Sequence, residues 1–191
     1  MRARRKVAKV SELIVTGFKD PYRASEVLNE LRRREWDWVS DLDQAVVVRR
    51  DSASKLRILI SVDPATNEGV AWARLWGSFL SLALFVPVMD SIVGVVGDVS
   101  LTTRAPASGS GGTRNVLADV KWWKEYLRIP DEFVRDIGAL IQPGDSALFM
   151  LLRTAGPRTV LPQFRDHGGI LLHYSLAPEQ DDKLRNVLAL K

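Results

Sequence analysis

Residues 69–99 read GVAWARLWGSFLSLALFVPVMDSIVGVVGDV, and what covers this stretch decides the fold. Arg74 and Asp90 bracket a run, 75–89, without a single charged side chain. One helix needs about 20 apolar residues to cross a bilayer, so the run is short for a span. Pro87 lacks a backbone N–H and breaks or bends a helix. The simplest reading is a helical hairpin over 69–99, its two apolar arms joined at Pro87–Asp90.

Small residues stripe both arms. Gly69, Ala73, Gly77 and Ser81 recur at every fourth position of the first arm, and Ser91, Gly94 and Gly97 at every third position of the second. Such spacing places them on one helix face, where a second helix backbone can approach closely, as in a glycine zipper. Trp72, Leu75, Trp76, Phe79, Leu80, Leu82 and Phe85 occupy the other sides. A helix apolar all round must be buried. The chain's own sheet can take one of its faces. The remainder calls for more of the chain's own core, a second subunit or lipid, and burial between subunits is the expectation carried forward.

On the N-terminal side, ELIVTGF (12–18) reads as a strand ending at a glycine. Asp20 as N-cap and Pro21 at the first helical position then open a helix over 21–35, with Tyr22, Ala24, Val27, Leu28 and Leu31 on one face and Arg32, Arg33 and Arg34 at its negative end. DQAVVVRR (43–50) and KLRILISV (55–62), joined by DSAS, read as a hairpin. Trp36 and Trp38 alternate and share a side if that stretch is extended.

On the C-terminal side, residues 100–114, with APASGSGGT at their centre, read as a flexible linker. A helix is expected over 115–128, carrying Trp122, Trp123 and Tyr126. The two adjacent tryptophans cannot both face one core. Pro130 and Asp131 open another helix, Pro143–Gly144 turns, and SALFMLLR (146–153) is a strand. A helix over 157–167 closes at Gly168–Gly169, ILLHYSL (170–176) is a strand, and a last helix runs from Pro178 to Leu190.

The order predicts an α+β domain. Its ferredoxin-like sheet of five strands is mixed and mainly antiparallel, with an inserted apolar helical hairpin and flanking helices. Residues 11–68 and 115–191 form its two parts, around the hairpin at 69–99 and the linker at 100–114.

The formal charge of +4 is unevenly placed. Arg2, Arg4, Arg5, Lys6 and Lys9 stand in residues 1–10 without an acid, and the rest has 22 basic against 23 acidic residues. The basic character belongs to this arm, read as solvated and disordered. It would attract anionic lipid headgroups or nucleic acid. A nucleic-acid-binding domain spreads its cations over a folded face, and this body does not, so nucleic acid is not an expected partner. MRARRKVAKVSEL has charge but no apolar segment after it and does not read as a secretory signal.

The chain has no cysteine, which excludes disulfides, thiolate metal sites and cysteine nucleophiles and suits the cytoplasm. His167 and His173 lack metal-ligand spacing, no serine stands in Gly-x-Ser-x-Gly, and the glycines of 108–112 lack a phosphate-loop ending. Asp41 and Asp43 read as solvated acids at a strand start. No catalytic, cofactor or metal residue is assigned.

SELIVTGFKDPYRASEVLNELRRRE, DLDQAVVVRRD, the apolar WARLWGSFLSLALFVPVMDSIVGVVGD, DEFVRDIGALIQPGDSALFMLLR and GGILLHYSLAPEQDDKL together resemble the DUF1269 family, uncharacterised bacterial and archaeal proteins described as predicted membrane proteins. The resemblance covers most of 11–185, and QPGDSALFMLLR is its most telling piece. It implies no catalytic residues. This hairpin departs from the family pattern in having fewer glycines and in carrying Arg74, Asp90 and Asp98, and 99–128 looks like an insertion. Those departures weigh against a bilayer-spanning hairpin. The expected function is therefore a non-enzymatic, self-associating scaffold whose hairpins pack between subunits. The alternatives are a peripheral or inserted membrane protein gripping lipid through hairpin and arm, and a small-molecule-sensing regulator, the last by analogy of fold alone.

Overall fold

The computed structural model describes residues 10–60, 66–84 and 122–189. Two strands, β1 (Glu12–Phe18) and β4 (Ser146–Leu152), are buried along their whole length. Strand side chains alternate between faces, so seven consecutive buried residues mean that both faces are covered. The near-continuous apolar runs ELIVTGF and SALFMLL are the sequence form of that burial.

The sheet has five strands in the order β3-β2-β4-β1-β5, where β2 is Val46–Arg50, β3 is Leu56–Ile60 and β5 is Ile170–Ser175. Every neighbouring pair is antiparallel. The expected mixed character is absent from these pairs for a topological reason. β1 and β2 run the same way but β4 lies between them, and β4 and β5 run the same way but β1 lies between them. Each β-α-β unit is split by a strand of the other.

One face of the sheet, with Ile14, Phe18, Val47, Leu148, Met150 and Leu152, is covered by α1 (Arg23–Arg32), a 3-10 turn (Val39–Gln44) and α4 (Pro157–Arg165). The opposite face, with Leu13, Val15, Val46, Val48, Phe149 and Leu151, is covered by α2 (Asn67–Leu84), a π-helical turn (Trp122–Tyr126), α3 (Asp131–Leu140) and α5 (Pro178–Ala189). Helices therefore lie on both sides of the sheet.

Several boundaries shift from the expected ones. α1 starts at Arg23 with Tyr22 in place of Asp20 at its N-cap, and Asp20 Oδ1 accepts the backbone amides of Tyr22 at 2.7 Å and Arg23 at 2.9 Å in the turn just before it. Ser146 Oγ at the head of β4 accepts the amide of Ala24 at 3.1 Å. The strand expected from 43 begins only at Val46, because residues 39–44 wind into the 3-10 turn. The helix expected over 115–128 falls largely outside the described residues. Its described part is the π turn, where the Leu127 amide donates to Trp122 O at 3.0 Å. Trp123 is buried there and Trp122 half-buried, the rings edge to face at 5.1 Å, so the pair does divide between core and surface. Trp36 and Trp38 stack at 4.7 Å, and Trp38 continues into the core beside Phe164. Gly169 has a φ of +94°, and a Cβ there would stand 2.6 Å from Gly17 O, so the chain enters β5 through a position only glycine fills.

Phe79 is fully buried between Trp76, Trp123 and Phe149. Phe79→Ala leaves a cavity at the α2–sheet contact and is expected to lower the unfolding free energy by about 3–5 kcal/mol. Urea denaturation followed by tryptophan fluorescence measures it.

Candidate interaction surface on helix α2

α2 is two-sided. Trp72, Leu75, Trp76, Phe79, Leu80, Leu82 and Ala83 are buried in the core against the second sheet face. Trp72, Trp76 and Phe79, expected at a contact between subunits, are thus inside the chain's own core. The reason is that the sheet is covered on both faces, which leaves room for a second helical layer. Two indole N–H groups hold the helix in rotation. Trp76 Nε1 donates to Gln44 O at 2.7 Å, and Trp123 Nε1 donates to Ser78 Oγ at 2.8 Å, which itself donates to Leu75 O.

The small-residue stripe falls on the other side. Gly69 is buried, Ala73, Gly77 and Ser81 are half-buried, and Val70 and Arg74 beside them are exposed. Among the described residues, nothing lies within 4 Å of a Cβ built on Gly77. Ser81 Oγ donates to Gly77 O at 2.8 Å, so its hydroxyl is satisfied within the helix. Ser91, Gly94 and Gly97 of the expected second arm and Arg2, Arg4, Arg5, Lys6 and Lys9 of the basic arm lie outside the described residues. No described helix is long and apolar enough to cross a membrane.

The buried acids serve the backbone. Asp41, expected to be solvated, is 1% exposed. Its Oδ2 accepts the amides of Arg153 and Thr154 and the Thr154 hydroxyl, each at 2.8 Å, clamping the end of β4. Asp145 accepts Lys19 Nζ at 2.6 Å and the Gln142 amide at 2.9 Å ahead of β4. Asp181 of α5 accepts the Ser11 amide at 3.0 Å and Arg185 Nε at 2.6 Å ahead of β1. No signal in the local sequence marks these three acids, since each partner but Gln142 and Arg185 is distant in the chain.

Groups with catalytic potential are differently arranged. Ser175 Oγ donates to Glu12 Oε2 at 2.6 Å, and His173 Nδ1 is 3.8 Å from the same oxygen. His173 Nδ1 is beyond hydrogen-bond distance of that oxygen, and no Ser–His hydrogen bond is formed among these three residues. His167 Nδ1 is 3.0 Å from Glu30 Oε2, with its ring packed away from solvent. Among the described residues no His, Asp and Glu group is arranged to hold a metal. A cleft of about 340 Å³ beside the start of α1 is lined by Lys19, Asp20 and Arg23, but Lys19 is engaged by Asp145, and Arg23 by Glu26 and Glu30.

A family profile described as "Protein of unknown function (DUF1269)" matches residues 70–189, from α2 through α5. β1, α1, β2 and β3 precede the matched stretch. No curated protein matches the chain significantly. No solved structure does either.

Burial pushes the Asp181 carboxyl up, but the hydrogen bonds from Ser11 and Arg185 outweigh it and hold it below the ordinary aspartate value of 3.8. A depressed folded pKa contributes stability that is complete above the unfolded value and lost as pH falls through the folded one. Urea midpoints of the wild type between pH 5 and pH 2 are expected to drop more steeply than those of Asp181→Asn, which lacks this component.

Proposed function

This chain belongs to the DUF1269 family, and we propose that it is a non-enzymatic, self-associating structural protein in which the small-residue face of α2 packs against a second copy. One observation carries the reading. The large side chains of α2 are anchored on the chain's own sheet, while a Cβ at Gly77 on the opposite side meets open space among the described residues. A helix so anchored presents its backbone outward at Gly77, and a second helix can approach there to backbone distance. Val70, exposed beside the stripe, adds apolar surface to the same side. The backbone-clamping carboxylate of Asp41 is occupied in holding the end of β4, which is a structural role. The absence of cysteine suits work in the reducing cytoplasm.

The test is mass by light scattering on protein purified without detergent. A discrete oligomer is expected for the wild type. Gly77→Leu fills open space on the monomer and removes a helix-interior glycine, so its own unfolding free energy should rise by about 0.8 kcal/mol. The same change should shift the oligomer to monomer by blocking close approach. A wild-type monomer, or an unaltered oligomer in the variant, refutes the reading. Mass recovered only in detergent would place lipid against α2 instead.

A further inference from the structure

We propose that the outer edge of β3 docks an extended, acidic segment of another protein, which adds to the sheet as a further strand. β3 pairs with β2 on one side and ends the sheet on the other. Among the described residues its outer backbone groups have no partner, which leaves a ready template for β-augmentation. Leu59 on this strand is 58% exposed, an apolar side chain standing at the edge.

The charge beside that edge selects the occupant. Arg49 of β2 and Arg57 of β3 are directly opposite in register. Cross-strand partners have Cβ atoms about 5 Å apart, and like charges at that distance destabilise the pair. No carboxylate among the described residues comes within 4.0 Å of either guanidinium. Arg49 instead lies over the Tyr22 ring at 5.0 Å, and that ring is 60% exposed. Tyr22, Arg49, Arg57 and Leu59 form a patch of two cations framed by two apolar groups. The nearest acid of the hairpin, Asp51, accepts the Lys55 amide at the turn. An incoming strand with a carboxylate facing Arg57 relieves the arginine repulsion, and an apolar neighbour along it meets Leu59.

Edge protection and self-pairing each account for less of this arrangement. A single edge charge is enough to discourage chance sheet extension. It gives no reason for a second arginine, on β2, opposite the first. Pairing of β3 with its copy would gather both arginine pairs at one seam with no carboxylate to offset them. The acidic strand is independent of the α2 contact.

The probe is a fluorescent seven-residue peptide of alternating Glu and Val, titrated by anisotropy at low salt. The wild type is expected to bind it, more weakly as salt screens the charges. Arg57→Glu, a change at an exposed position, should weaken binding at least tenfold, whereas Arg57→Lys retains most of it. The same peptide N-methylated at every backbone amide keeps its charges but has no edge left to extend a sheet, and it should not bind. Hydrogen exchange of β3 amides should slow only with the unmethylated peptide. No binding by the folded wild type overturns the proposal, as does equal affinity for Arg57→Glu. Equal affinity for the methylated peptide would reduce the patch to a charge sink and overturn the added strand.

Discussion

Everything in this fold depends on the burial of β1 and β4 from both sides. Their fourteen residues are buried along both strands. A sheet covered by α1 and α4 alone would leave Leu13, Val15, Phe149 and Leu151 facing water. α2, the π turn, α3 and α5 supply the missing layer, and α2 contributes its largest side chains to it. Trp76 and Phe79 each meet Phe149 edge to face, at 6.4 Å between ring centroids. Such pairs add to the area they bury. The apolarity of α2 is thus chiefly a requirement of the chain's own sheet.

That requirement also orients the helix. With the Trp76 indole fixed on Gln44 O and Ser78 joined to Trp123, α2 cannot roll on the sheet without breaking buried hydrogen bonds. The position of Gly77 and Ser81 on the far side follows from this anchoring. Core packing and the outward placement of Gly77 are two consequences of one arrangement, with the large apolar groups inward and the small residues and Arg74 outward.

Much of this was legible in the residues. Strand runs, helix order and the apolar helix at the centre all follow from periodicity and turn chemistry, since these are local signals. The family was legible too, over the stretch from α2 to α5. The placement of Trp72, Trp76 and Phe79 was not, because periodicity says that a helix must be buried without saying against what. Asp41 was misread for a related reason. A carboxylate's burial is decided by the Arg153 and Thr154 amides, which lie more than 110 positions away in the chain. The late start of β2 follows, since the 3-10 turn that carries Asp41 inward displaces the strand.

The two edges of the sheet show how differently one chain can treat the same hazard. At β5 Ser175 Oγ donates to Glu12 Oε2 of the neighbouring strand and His173 Nδ1 lies 3.8 Å from the same oxygen, so the charge beside that strand is a buried carboxylate. At β3 the residues facing the sheet are buried under α2, and the opposite face carries Arg57 and Leu59 into solvent. Protection by charge requires that the charge be costly to every incoming strand. A pair of arginines is costly to a neutral or basic strand and favourable to an acidic one. The β3 edge therefore filters by charge, and an acidic strand is the partner that its two arginines accept.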